Sequence, residues 1–272
     1  MQNSNDKTLI AKCLNIEREN IYYDKRRDKL DEEVKNQIET VQVDNPAYGH
    51  RRIAIELLMN KKKILRIMKK YGIKPLRRKV KLFKKQDCKS PTIAYINVMK
   101  LLCPVVANYI WVSDFTYIRY KGRFIYLAVV QDLLTKEVLG VAISRFHNKN
   151  LVIEALQNAI ERTGTTPVYI HSDQGSEYRS EAYWKLCEKN GIIISMSDKG
   201  SPWQNGQMES FFGKFKAESG DLERFETLPE LIEYIYKQVY YYNNQRIHTK
   251  LKMCPVKFRE KQCRTLSELR GI

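Results

Sequence analysis

Residues 110–118 read Ile-Trp-Val-Ser-Asp-Phe-Thr-Tyr-Ile, an apolar run with a single acid, Asp114, at its centre. Aromatic and β-branched residues in such a run favour a β-strand. Two further runs of this kind follow at 123–130 and 138–143, and the turn Lys121-Gly122 separates the first two. Because short turns join neighbouring strands, the three runs predict an antiparallel meander.

The chain then alternates between helix and strand patterns. A helical pattern covers 151–160, a fourth strand 168–173, a helix the region of Trp184 and Leu186, and a short strand 192–194. A meander followed by this alternation predicts an α/β fold, a mixed five-stranded sheet flanked by helices.

Residues 26–75 show helical periodicity instead. Apolar side chains recur at three- and four-residue steps, and the turn 44–49 breaks the run. The three predicted apolar faces consist of Leu30, Val34, Ile38 and Val41, then Ile53, Leu57 and Leu58, then Ile64, Leu65, Ile67 and Met68. Short helices with basic outer faces are typical of a helix-turn-helix-like DNA-binding region, although a small helical bundle with a solvated basic face has the same pattern.

The net charge is +17, and it is concentrated at one end of the chain. Residues 1–90 hold 24 Lys or Arg against 12 Asp or Glu, whereas residues 91–272 hold 24 against 19. Such a field favours nucleic acid as a partner, with simple solubility as the alternative. Residues 76–92 are dense in charge with little periodicity and predict a linker.

The six cysteines form no CxxC pair and match no histidine spacing, so no zinc site is predicted. They fit the reduced thiols of a cytosolic protein. No apolar run is long enough for a signal peptide or a membrane span. We therefore expect a soluble intracellular protein with no membrane contact.

Three acids stand where a structural carboxylate is hard to explain. Asp114 interrupts the first strand, Asp173 ends the fourth, and Glu209 lies in a helix that follows residues 201–206. Carboxylate oxygens are the ligands that Mg²⁺ prefers, and two such ions about 4 Å apart serve phosphodiester chemistry. Taken singly, an Asp at a strand edge or a helical Glu is usually solvated. The spacing changes this reading, because 35 residues separate Asp173 from Glu209, and Lys216 follows two helical turns later.

This order of residues resembles the DDE transposase and retroviral integrase superfamily. More narrowly, it is similar to the second-reading-frame (OrfB) transposases of insertion-sequence-three type. The similarity extends from about residue 10 to residue 260. The matching segments are 111–118 (Trp-Val-Ser-Asp-Phe-Thr-Tyr-Ile), 171–178 (His-Ser-Asp-Gln-Gly-Ser-Glu-Tyr), 208–216 (Met-Glu-Ser-Phe-Phe-Gly-Lys-Phe-Lys), 242–248 (Tyr-Asn-Asn-Gln-Arg-Ile-His) and 48–53 (Tyr-Gly-His-Arg-Arg-Ile).

The resemblance implies a ribonuclease-H-like core. Asp114, Asp173 and Glu209 would be the catalytic residues and would hold two Mg²⁺ ions, with Mn²⁺ as an alternative. The expected organisation is a basic helical region with linker at 1–90, an integrase core at 100–222 and a helical extension at 223–272. Expected DNA contacts are Lys216, Arg51, Arg52, Arg77, Arg78, Trp203, Arg246 and His248, where packing for Trp203 and site support for Arg246 and His248 are alternatives.

The same resemblance implies partners. These are the terminal inverted repeats of an insertion sequence and target DNA, a homo-oligomer assembled on DNA, and the upstream-frame protein (OrfA) as fusion or partner. In the family an upstream frame encodes the end-recognising helix-turn-helix and leucine zipper, and this chain shows no such heptad repeat. The expected location is the bacterial cytoplasm, in association with the nucleoid.

Two other functions share these features. A ribonuclease-H-type nuclease would use the same fold and ions but would not join strands. A repressor descended from a transposase would bind DNA without cutting it, although the intact acids argue against that history. A retroviral integrase is disfavoured, because no His-His-Cys-Cys module precedes the core.

Overall fold

The computed structural model describes residues 11–13, 15, 26–76, 97, 102–198 and 201–270. The chain forms two compact units, Met1–Pro75 and Leu76–Ile272. Most of the predicted linker, residues 77–92, lies outside the described residues. Within the described part, no helix combines the length and apolar character needed to cross a membrane.

The first unit contains helices α1 (Arg26–Asp44), α2 (His50–Glu56) and α3 (Lys61–Lys70). Its core follows the predicted periodicity at most positions. Asn60 begins α3 by accepting a hydrogen bond from the Lys62 N–H through its side chain, at 2.8 Å. The buried apolar residues of this core are Val34, Ile38, Tyr48, Ile53, Ala54, Ile64, Ile67 and Met68.

Two predicted core positions are wrong, and an ion pair explains one of them. Leu58 is 93% exposed, and Leu30 is 53% exposed. The neighbour of Leu30, Asp31, faces inward, and its two carboxylate oxygens accept hydrogen bonds from Arg66 at 2.7 and 2.5 Å. Because Arg66 lies on α3, the periodicity of α1 alone gives no sign that an acid occupies the inner face.

The second unit is built on a five-stranded mixed sheet of order β3-β2-β1-β4-β5. β1 pairs antiparallel with β2 and parallel with β4, β2 pairs antiparallel with β3, and β4 pairs parallel with β5. This confirms the predicted fold class. The elements are β1 (Ile110–Tyr120), β2 (Arg123–Asp132), β3 (Val138–Ser144), α4 (Lys149–Thr163), β4 (Tyr169–Ser172), α5 (Glu181–Lys189), β5 (Ile193–Met196), a 3₁₀ turn (Pro202–Asn205), α6 (Gly206–Ser219), α7 (Leu228–Asn244) and α8 (Pro255–Arg270).

The tight turn between β1 and β2 fixes the register of the first hairpin. Lys121 and Gly122 both have positive φ, 46° and 73°, as a two-residue primed turn requires. Tyr120 therefore pairs with Arg123, and Asp114 pairs with Val129 farther along the ladder.

Helices cover both faces of the sheet. Alternate residues of β1 point to opposite sides, so Trp111 enters one core and Val112 the other. On the Trp111 face, Gly140 of β3 lies against α4, where an added Cβ would be 2.1 Å from the Ala155 carbonyl oxygen. The Val112 face is covered by α6 and α7, whose buried residues include Met208, Phe211, Phe212, Phe215, Leu231, Ile235 and Val239.

Candidate active site

Two of the three predicted catalytic acids lie at the same level on neighbouring strands. Val112 of β1 and His171 of β4 are register partners in a parallel pair. Asp114 and Asp173 each follow those partners by two residues, and side chains two apart on a strand share a face. The sheet therefore brings together two carboxylates that lie 59 positions apart in the sequence.

The third acid, Glu209, reaches this region from α6. The buried residues Met208, Phe211 and Phe212 fix the inner face of α6 against the sheet, which leaves Glu209 exposed. Directly before the helix, the Asn205 side-chain amide donates a hydrogen bond to the Ser113 carbonyl oxygen at 3.3 Å. The start of α6 is thus attached to the residue that precedes Asp114.

The electrostatics of the site show that the acids influence one another. Burial raises the pKa of Asp114 to about 7, and the negative charges of Asp173 and Glu209 raise it further, against the opposing hydrogen bond from the Phe115 N–H. The pKa of Asp173 is also raised, first by burial and then by the charge of Glu177. Although Asp173 is exposed, the protein packed around its carboxylate is sufficient for this effect.

Each aspartate uses one oxygen for a backbone hydrogen bond. Asp114 Oδ1 accepts from the Phe115 N–H at 2.8 Å, and Asp173 Oδ1 accepts from the Gly175 N–H at 2.9 Å. As they stand, no three His, Cys, Asp or Glu side chains within the described ranges form a group that could hold a metal ion. The three-carboxylate metal site therefore stays a prediction, resting on the register of the two aspartates and the electrostatic reach of Glu209.

A fourth acid, Glu177, lies beside the pair, and the sequence analysis did not single it out. A Cβ placed on Gly175 would be 3.0 Å from Asp173 Oδ1 and 3.2 Å from Glu177 Oε2, so the glycine lets both carboxylates approach the same turn. Glu177 is buried and lies 3.2 Å from Nε2 of His147, whose ring stacks on Tyr126. The only sequence signal for Glu177 was its place in the segment 171–178.

Two polar residues near the site have structural contacts. His171 is buried, its Nδ1 lies 2.7 Å from Ser195 Oγ, and burial lowers its pKa to about 4. A neutral hydrogen-bonding group fits this position, as expected. The Asp198 carboxylate accepts a hydrogen bond from Gln204 at 2.8 Å, and the loop residues 199 and 200 that follow lie outside the described residues.

The predicted DNA contacts occupy different environments. Lys216 places its ammonium 4.5 Å from the centre of the Tyr117 ring and lines a groove of about 380 Å³ together with Arg119. Trp203 is 57% exposed. In the first unit, Arg51 is exposed and Arg52 lies over the Tyr48 ring at 5.2 Å. Arg77 and Arg78 lie outside the described residues.

The structure contradicts a DNA contact by Arg246. Its side chain is only 1% exposed, and its Nε and Nη2 donate to the two carboxylate oxygens of Glu218 at 2.7 and 2.5 Å. A buried guanidinium held by a carboxylate cannot meet a phosphate without unfolding this region, so Arg246 supports the core instead. His248 is half-buried, pairs with Met253 through an isolated bridge, and lines a cavity beside α6.

Comparison with known proteins adds independent information. Two models described as integrase core domain match residues 105–202 and 190–255. A transposase-like protein of Haemophilus influenzae is 32% identical over 74% of this chain and 93% of its own length, and the transposase InsF of insertion sequence IS3A from Escherichia coli is 36% identical over 43% and 41%.

Among solved structures, one neighbour is the simian T-cell lymphotropic virus intasome in complex with the PP2A regulatory subunit B56 gamma. The match has a TM-score of 0.52 at 17% identity and covers 82% of this chain and 74% of that chain, which supports the fold alone. The relatives decide the family at the level of sequence. The chain belongs to the integrase-core family, among the IS3-type (OrfB) transposases of the DDE superfamily.

Proposed function

We propose that the chain cuts the 3′ ends of an insertion sequence and joins them to target DNA in a metal-dependent reaction. The observation that carries the proposal is the shared level of Asp114 and Asp173 on two neighbouring parallel strands, with Glu209 in their electrostatic field. Membership of the IS3-type transposases supports the same reaction.

The three acids fit a divalent cation. They offer oxygen donors, as Mg²⁺ prefers, with Mn²⁺ as an alternative. Crowding of like charges contributes to the raised pKa of Asp114, and a cation would relieve that crowding. We propose that Asp114, Asp173 and Glu209 hold two such ions. When bound, the ions would neutralise charge on the attacking and leaving oxygens.

The residues of the chain would supply position. β1 has strands on both sides and holds Asp114, while the Gly175 N–H orients the Asp173 carboxylate. In the first step water attacks the phosphodiester at the end of the element, the P–O3′ bond breaks, and a 3′-hydroxyl remains. That hydroxyl then attacks a target phosphodiester in line, which joins the strands without a covalent enzyme intermediate.

DNA would meet the chain at exposed basic and aromatic side chains. Lys216 lies seven residues from Glu209, two turns along α6, and is the proposed contact to the end of the element. Trp203 is proposed to stack on a base, and Arg51 and Arg52 to contact phosphates. Because two ends must be joined, we propose a homo-oligomer on DNA, with the upstream-frame protein as fusion or partner.

A strand-joining assay tests this proposal. Duplex donor DNA labelled at the 3′ end of a terminal repeat is incubated with the full chain, target DNA and Mg²⁺. We expect cleaved and joined products, and their loss in Asp114→Asn, Asp173→Asn and Glu209→Gln while duplex binding remains. Glu188→Gln, which removes an exposed acid on α5, is the matched control. Persistent cleavage in any of the three variants contradicts the site.

The same assay separates the two competing functions. A ribonuclease-H-type nuclease would give cleaved product and no joined product at any time point. A non-catalytic DNA-binding protein would retain the duplex in a mobility shift and give neither product. The presence of Glu209 and Lys216 on one helix favours strand transfer over hydrolysis alone.

A further inference from the structure

A second polar cavity lies around α6 from the three acids. It has a volume of about 380 Å³, and three lysines from separate parts of the chain line it: Lys136 after β2, Lys214 on α6 and Lys250 after α7. We call it the lysine cavity. Lys214 follows Glu209 by five residues, which places the two side chains about 140° apart around the helix axis. The lysine cavity therefore faces away from the acids.

The charge in this cavity is uncompensated. Lys136 Nζ donates hydrogen bonds to two neutral acceptors, the Leu133 carbonyl oxygen and Gln207 Oε1. Within the described residues, no carboxylate forms an ion pair with Lys136 or Lys250. Burial, followed by the positive charges of Lys250 and Lys214, lowers the pKa of Lys136 to about 8. Bringing three cations together costs free energy unless an anion joins them.

The position of Lys136 is built into the turn between β2 and β3. Asp132 Oδ1 accepts hydrogen bonds from the Thr135 N–H at 2.6 Å and the Thr135 hydroxyl at 2.9 Å, and the Lys136 N–H donates to the Asp132 carbonyl oxygen at 3.1 Å. Lys136 itself has φ 63°, a left-handed conformation that is uncommon for a residue with a side chain. The turn is thus specified in detail, and it holds an ammonium group against the wall of the cavity.

We propose that the lysine cavity binds a backbone phosphate of DNA, on a segment other than the one at the carboxylates. This inference rests on the proposed function, because it assumes that DNA is the substrate. Lysine ammonium groups bind phosphate as point charges, and the exposed Ser210 adds a hydroxyl donor on the same side of α6. The opening of the cavity to solvent leaves room for a duplex backbone, which a closed site for a small anion would exclude.

The salt dependence of duplex binding tests the proposal. The full-length chain, Lys214→Gln/Lys250→Gln and a control, Lys189→Gln/Lys257→Gln, are titrated with a duplex in EDTA, so that catalysis plays no part. Lys189 and Lys257 are exposed and lie outside the cavity, and both variants lose two charges. Each lost phosphate contact lowers the slope of log K against log salt by about 0.9. We expect this decrease in the cavity variant and a smaller one in the control.

The possible outcomes separate this inference from the proposed function. Equal slopes in the cavity and control variants overturn the phosphate site while leaving the transposase reaction intact. Failure of the unaltered chain to bind any duplex overturns both. Inorganic phosphate is also tested by thermal unfolding: if it stabilises the unaltered chain but not the cavity variant, and the slopes are equal, the site takes a free anion and the DNA assignment is wrong. If the double variant does not fold, Lys250→Gln alone, at an exposed position, replaces it.

Discussion

Replacement of Arg246 distinguishes a core residue from a DNA contact. In Arg246→Met the Glu218 carboxylate loses both of its hydrogen bonds to the guanidinium. Burial by itself would lower the pKa of Arg246, but the hydrogen bonds and charge of Glu218 outweigh it and the net shift is upward. Removing one partner of a buried ion pair costs about 3–5 kcal/mol. Because Glu218 keeps 17% of its side chain exposed, we expect about 3 kcal/mol.

Urea unfolding followed by circular dichroism measures this loss. Arg119→Met is the matched control: Arg119 is 74% exposed and 3.3 Å from the half-exposed Glu223, so its loss should cost less than about 1 kcal/mol. Adding Glu218→Leu to Arg246→Met should restore part of the stability, since no buried charge is left unpaired. The reasoning is refuted if Arg246→Met unfolds at the same urea concentration as the unaltered chain and instead lowers the salt slope of duplex binding.

Three further predictions concern stability and metal binding. Gly140→Ala should destabilise the chain by about 2–3 kcal/mol, because its Cβ would overlap the Ala155 carbonyl oxygen, whereas Gly206→Ala, with open space around it, should not; thermal unfolding compares the two. Ion pairing holds the pKa of Asp31 well below its usual range, so its stabilisation is present above pH 5 and declines as the pH falls through the unfolded value of about 3.9. Asp31→Asn should therefore weaken the hydrogen-exchange protection of α1 at pH 7 and remove much of its acid dependence; equal protection in both proteins at pH 7 contradicts the role of the ion pair. Mn²⁺ should raise the melting temperature of the unaltered chain and lose this effect in Asp114→Asn or after chelation, and an equal rise in the variant would remove Asp114 from the proposed ligands.

Much of the sheet could be predicted because local signals specify it. The turn at Lys121 and Gly122 sets the first hairpin, and alternation along β1 sets its two faces. What the sequence did not reveal depends on partners that are distant in the chain. Asp31 is buried because Arg66 meets it, and Arg246 is buried because Glu218 does, and no periodicity records either pairing.

The candidate site shows the same division. Asp114, Asp173 and Glu209 could be selected by residue type and spacing, and the parallel register then explains why the two aspartates share a level. The contribution of Glu177 required coordinates, because its proximity to Asp173 depends on the bend of the turn at Gly175. The lysine cavity likewise depends on three segments that meet only in the folded chain.

The hydrogen bonding around β1 gives the candidate site unequal stiffness. β1 has neighbours on both sides, so a displacement of the Asp114 backbone would disturb a sheet of five strands. Glu209 lies one turn into a helix, on its solvent side, and its side chain can change rotamer without breaking any ladder. Accommodation of ions of different radius, or of a shifting phosphate, would therefore fall to the glutamate, and amide exchange should be slow along β1 and faster at the first turn of α6.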